Sequence, residues 1–116
     1  MKEYYAHSIE GKPPAEWHRL EDHLRGTAKL AAQFAAEFGC EEWGEILGQH
    51  HDLGKGINPW QAYLRKANSI IDEFAKFYKG HPNHATVGAQ WLFQNSKQAG
   101  KLLAYCIAGH HCVLPD

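Results

Sequence analysis

The chain has 116 residues, 44% hydrophobic and 12% aromatic with four Trp, the size of one domain with enough apolar side chains for a core. Twelve basic against thirteen acidic side chains give a net charge of −1, which argues against a protein that grips nucleic acid through overall charge. A nuclease is still compatible, because two bound divalent cations would reverse the sign inside a cleft.

In chain order the pattern is helical almost throughout, with no internal repeat, low-complexity tract or long linker. Pro13-Pro14 opens a first helix over roughly residues 15–38, in which Trp17, Leu20, Leu24, Ala28, Ala31, Phe34, Ala35 and Phe38 form an apolar stripe and Gly39 marks the end. A second helix is expected from about Glu41 to His51, with Trp43 and Leu47 inward, broken by Gly54 and Gly56. Asn58-Pro59 reads as N-cap and first turn of a third helix through Ala67. The stretch Ile70–Tyr78 also reads as helical. Pro82 precedes a fourth main helix, roughly 83–95, with Val87, Trp91 and Leu92 inward. A fifth covers about 97–111, with Ala99, Leu103, Cys106 and Ile107. No segment gives strand alternation, so the expected fold is an all-α bundle forming a single domain over residues 1–116.

The three cysteines, Cys40, Cys106 and Cys112, are an odd number without framework spacing and point to a reducing, cytoplasmic setting. The N-terminus, Met-Lys-Glu-Tyr-Tyr-Ala-His, has no apolar core for a signal peptide, and no run approaches about 18 apolar residues, so no membrane span is expected.

Nine histidines are many for this length, and their placement carries the chemistry. The pair His51-Asp52 lies in Gly48-Gln-His-His-Asp-Leu-Gly-Lys55, with His23 before it and His84 and His110-His111 after it. Imidazoles drawn from several helices with one carboxylate suit a transition-metal site. At about 100° per residue, His23 lies about 60° from Leu20 at the edge of the apolar stripe, whereas His18 lies about 160° away, facing water. His51 lies about 40° from Leu47 with Asp52 about 100° further round, and His50 points off the other side. His84 falls within about 20° of Trp91 and His110 within about 20° of Leu103, while His111, about 80° off, would look out from the helix end. A lone inward histidine is more often a hydrogen-bonded core residue than a ligand. Five on four helices are different, because burying them together without a cation leaves many donors and acceptors to satisfy. His7, His50 and His81 read as surface residues or supports. Lys55 reads either as a solvated lysine after a helix end or as a cation beside the metals that binds a phosphate oxygen. Cys112 has no second cysteine near it and is a poor candidate for a zinc ligand.

The order His23, His51-Asp52, His84, His110-His111 resembles the HD phosphohydrolase superfamily. Tyr5-Ala-His-Ser8, Trp17…Leu20…His23-Leu24, His51-Asp-Leu-Gly-Lys55, Trp60-Gln-Ala-Tyr-Leu64, His84-Ala-Thr-Val-Gly-Ala89 and Ile107-Ala-Gly-His-His-Cys-Val-Leu-Pro-Asp116 narrow the resemblance. Together they look like the HD nuclease domain of the CRISPR-associated helicase–nuclease of type I systems, over nearly the whole chain. The resemblance implies that His23, His51, Asp52, His84, His110 and His111 hold one or two divalent ions with Asp52 bridging, and that Lys55 stands close to the scissile phosphate. It implies cleavage of single-stranded DNA delivered by a fused or separate helicase module after an RNA-guided surveillance complex opens the target. Two departures stand out. Family domains run on past the His-His motif into helices that supply a further Asp, so the chain reads as an HD-like bundle truncated at its C-terminus, with Asp116 not that ligand. Cys112-Val113 also stands where small glycines are common.

The expected activity is therefore metal-dependent phosphodiester hydrolysis, with Asp52 and Lys55 as the reacting-site residues. Imidazole-rich ligation favours Mn, Co, Ni, Fe or Zn over Mg, which prefers oxygen ligands. The alternatives are another HD phosphohydrolase acting on nucleotides or cyclic nucleotides, and an inactive metal-binding fragment. Basic residues (Arg19, Arg25, Lys66, Lys76, Lys79, Lys101) are dispersed, and Trp60, Tyr63 and Tyr78 read as core or rim packing before they read as base-stacking platforms.

Overall fold

A computed structural model describes residues 3–111. Among them the chain forms an all-α bundle with one short hairpin at its N-terminal end. Strand β1 (Tyr5–His7) pairs antiparallel with β2 (His18–Arg19), with Tyr5 opposite Arg19, His7 opposite His18 and an irregularity between. Six α-helices follow: α1 (Leu20–Ala36), α2 (Glu41–His50), α3 (Asn58–Ala67), α4 (Glu73–Phe77), α5 (Val87–Asn95) and α6 (Gln98–Gly109). Single 3₁₀ turns occupy Pro14–Glu16 and Leu53–Gly56. No helix of the described residues is long and apolar enough to cross a membrane.

The helix boundaries follow local chemistry. α1 carries Glu21 and Asp22 in its first turn and α2 carries Glu41 and Glu42, where the helix dipole favours acidic side chains. Gly39 takes φ +69° between them, a left-handed value that a glycine adopts without steric cost. Asp72 caps α4 by accepting from the Ala75 amide at 2.8 Å and is clamped by Arg65.

Several expected boundaries are corrected. The first helix starts at Leu20 rather than near residue 15, because Pro13-Pro14 yields only a 3₁₀ turn and residues 18–19 pair with β1. The hairpin went unread because strands of two and three residues are too short to show alternation. In the third helix Ile57 is the N-cap and Asn58 already lies inside. Helix α4 holds only Glu73–Phe77 of the expected 70–78 stretch. α5 starts at Val87, so His84 lies in the preceding turn. Trp43 and Trp91, expected inward, are exposed, as are Phe34, Phe38, Ala99 and Cys106.

Two apolar clusters hold the molecule. Ala89, Leu92, Leu103, Ala104 and Ile107 join α5 to α6, with Ile46 and Leu47 of α2 against them. Tyr5, Trp17 and Leu64 tie the hairpin to α3. Each large aliphatic side chain buried this way contributes about 1.5–3 kcal/mol. Between α1 and α2 the packing is backbone-close. A Cβ on Gly44 would sit 2.3 Å from the Ala31 carbonyl oxygen, and one on Gly48 2.3 Å from Ala28 Cα. This glycine seam draws the C-terminal end of α2, where His51 and Asp52 lie, against the helix that bears His23.

Candidate metal centre

The site is built around the Asp52 carboxylate, which is 4% exposed. Asp52 and Lys55 lie in the turn after α2; His23 projects from the first turns of α1, His84 from the turn before α5, and His110 and His111 from the end of α6. Six nitrogens converge on two oxygens. His23 Nε2, His51 Nε2 and Lys55 Nζ lie 3.0, 3.4 and 2.9 Å from Oδ2. His110, His111 and His84 Nε2 lie 3.2, 3.5 and 3.7 Å from Oδ1. The imidazoles also face one another: His23 and His51 Nε2 are 3.1 Å apart, and His84 and His111 Nε2 are 2.9 Å apart.

These spacings fit a metal. Two donors each about 2.1 Å from a common ion, at angles between octahedral and tetrahedral, are about 3.0–3.4 Å apart. Hydrogen bonding alone fits poorly, since a carboxylate offers about four lone-pair sites to the six nitrogens. The tautomers agree with ligation. His51 Nδ1 donates to the Gly48 carbonyl at 2.7 Å, and His110 Nδ1 donates to that of Ile107. A carbonyl can only accept, so both rings carry hydrogen on Nδ1 and can turn an Nε2 lone pair toward Asp52. The cluster around Asp52 could therefore hold a metal ion.

Electrostatics follows from the crowding. Burial pushes the Asp52 carboxyl up, but hydrogen bonds and charge from His51 and Lys55 outweigh it and hold the group well below the usual carboxylate range. Burial drives His84 down to about 4, against the pull of Asp52 and with help from His111 and Lys55. It also lowers His23 and His7. For His51 burial is outweighed by its bonds to Asp52 and the Gly48 carbonyl, so its pKa is raised.

The structure brings together every histidine that the sequence singles out. His111, expected to look outward, instead turns onto Asp52 and His84; α6 ends at Gly109, its C-cap His110 still holds a right-handed helical conformation, and His111 lies just beyond it. His84 reaches the site from a turn. A Cβ on Gly54 would sit 2.0 Å from the His84 carbonyl oxygen, and the Trp60 ring lies 4.3 Å from the imidazole. His50 stays apart, stacked on Trp91 with Nδ1 on the Ile46 carbonyl. Lys55 is not solvated: it is 5% exposed, with Nζ 5.6 Å from the Trp60 ring centre. Trp60 is a wall of the site, and its indole Nε1 is buried without a partner among the described residues. Residues 112–116, with Cys112 and Asp116, lie outside the described residues.

Sequence reasoning missed Gln61. Its side chain is buried, accepts from the Tyr5 amide at 3.0 Å, and donates to the Tyr5 and Lys55 carbonyls at 2.9 and 2.7 Å. It thus ties the hairpin to the turn that carries Asp52 and Lys55. The available signal was a polar side chain three residues before Leu64, on the apolar face of α3. No family model matches the chain, and no curated protein matches it.

Proposed function

We propose that this chain is a metal-dependent phosphodiester hydrolase of the HD type, acting on single-stranded DNA. The supporting observation is the division of ligands about Asp52. One carboxylate oxygen faces His23 and His51; the other faces His84, His110 and His111. A single carboxylate with separate imidazole sets on its two oxygens suits a bridged pair of ions, each of Mn, Co, Ni, Fe or Zn character. Such ions supply an activated water and a Lewis acid for the phosphorus centre.

The chain's own residues set the rest. Asp52 fixes the spacing of the two ligand sets. The Gly48 and Ile107 carbonyls hold the His51 and His110 rings in register. Lys55, pinned between Asp52 and Trp60, places a positive charge where a phosphate oxygen approaches the carboxylate. The ordered motifs from Tyr5 to His111 support placing the activity within CRISPR interference, with a helicase module delivering the strand.

The test is cleavage of a labelled single-stranded DNA by metal-stripped protein to which Mn²⁺, Co²⁺ or Mg²⁺ is returned, alongside cyclic and linear nucleotides. We expect cleavage with Mn²⁺ or Co²⁺, little with Mg²⁺, and none from Asp52→Ala with its helical circular dichroism retained. An Asp52→Ala protein that cuts as fast as the parent would overturn the assignment. Turnover confined to the nucleotides would move the substrate from DNA to small phosphodiesters.

A further inference from the structure

A second group of imidazoles adjoins the Asp52 centre. His7 of β1 and His18 of β2 are directly opposed across the hairpin, with ring centres 5.9 Å apart and planes at 23°. His23, one turn into α1, sets its ring edge-on to both, 4.9 Å from His7 and 5.5 Å from His18. One ring nitrogen from each of the three lies within 4.8 Å of the other two. His7 and His18 are exposed and their rings make no hydrogen bond to another described residue, so their torsions are not locked. Small rotations close the set to the 3.0–3.4 Å or so that a common ion demands.

The hairpin explains the placement. Cross-strand partners carry their side chains on one face about 5 Å apart. The chain passes from β2 straight into α1, so His23 follows His18 by little more than one turn. His23 is also the histidine whose Nε2 lies 3.0 Å from Asp52 Oδ2. The two groups therefore share a residue: one is open to solvent and the other surrounds a buried carboxylate.

We propose that His7, His18 and His23 form an outer site for one transition-metal ion of the Zn²⁺, Ni²⁺ or Cu²⁺ class, which passes its ion to the Asp52 centre through their shared histidine. Three neutral imidazoles with water completing the shell are a sufficient donor set for such ions and a poor one for Mg²⁺ or Ca²⁺. Transfer is a ligand exchange: two exposed imidazoles are released while Asp52 and His51 are gained, with no change of oxidation state. The carboxylate of the inner set gives the direction. The proposal rests on the Asp52 cluster being a metal centre only for the hand-over; the outer site needs the three histidines alone.

The test uses the whole chain, stripped of metal and titrated with Ni²⁺ by calorimetry, with Cu²⁺ resonance spectra reporting nitrogen ligands. Asp52→Asn with His110→Gln dismantles the inner centre, and that protein is expected to bind one Ni²⁺ with imidazole ligation. Adding His7→Gln and His18→Gln should abolish this binding. Given alone, His7→Gln with His18→Gln should leave inner binding at equilibrium and slow Ni²⁺ loading at least tenfold in stopped flow. His18→Gln by itself, on an exposed position, is the variant to read if any combination loses its helical spectrum. The outer site is overturned if the Asp52/His110 variant binds no ion, or binds one indifferent to His7 and His18. Equal loading rates overturn the hand-over. Binding lost on removing His7 and His18 but untouched by the Asp52/His110 changes would leave the outer site standing and remove the inner one, so the two readings fail separately.

Discussion

Lys55 Nζ sits 2.9 Å from Asp52 Oδ2, three residues along the chain, and the two side chains are only 6% and 5% exposed. A buried ion pair of this kind gives little net stability, but removing one partner strands the other charge in a poor solvent, at a cost of about 3–5 kcal/mol. On the proposed reading, a metal ion and the lysine would compete for the same oxygen, so the Lys55–Asp52 contact would link stability, metal affinity and catalysis.

Lys55→Met separates those effects. The metal-free variant should lose about 3–5 kcal/mol of stability, because Asp52 loses its cation. Saturating Mn²⁺ should restore most of it, since the ion then supplies the charge. Cleavage under those conditions should stay about 10²–10³ below the parent, the loss usual when one charged donor to a reacting group is removed. Thermal unfolding with and without Mn²⁺, beside single-turnover cleavage, reads both. Parental cleavage by the Mn²⁺-loaded variant would make Lys55 purely structural.

Gln61→Leu keeps the volume and removes the amide. Three main-chain partners, the Tyr5 amide and the Tyr5 and Lys55 carbonyls, then lose a hydrogen bond. At about 1 kcal/mol each, a loss near 3 kcal/mol is expected in urea unfolding. Metal affinity should fall with it, because the turn bearing Asp52 is no longer tied to the hairpin. An unchanged urea midpoint would remove Gln61 from the support of the site.

Gly54→Ala places a Cβ 2.0 Å from the His84 carbonyl oxygen. Backbone has to move, at about 1–3 kcal/mol, and the segment that moves carries His84. Calorimetric metal affinity should drop at least tenfold, more than after Gly26→Ala, where a Cβ meets nothing within 4 Å. Equal affinities for the two variants would show that His84 tolerates displacement or does not ligate.

In metal-stripped protein, His84 is held near 4 by burial, below the 6.5 of an exposed imidazole, so the folded state resists a proton that the unfolded chain accepts. Its stabilising contribution is complete above pH 6.5 and disappears as pH falls through 4. His23 and His7 are lowered too and act in the same sense. His51, raised, acts in the opposite sense and contributes only below its folded value. From the His84 shift, urea unfolding in chelator should show a loss on the order of 2 kcal/mol between pH 7 and 4.5, water at the pocket mouth reducing the full effect. Stability that holds or climbs over that interval would contradict the burial of His84.

The sequence by itself determined the helical class, most of the main helix positions and the ordered histidine set with Asp52. Period-3.6 spacing and glycine or proline punctuation are local properties, and an unusual number of imidazoles on such segments is visible without coordinates. Tertiary structure decided the rest. Helical-wheel angles hold only where the backbone is helical, and His18, His84 and His111 lie in a strand or beyond helix ends, where the chain's path sets direction. The apolar stripe of α1 did not predict that Phe34 and Phe38 would be exposed, because periodicity marks a face without saying what covers it. Gln61 and the His7–His18 pairing come from contacts between segments 56 and 11 residues apart, which no local pattern encodes.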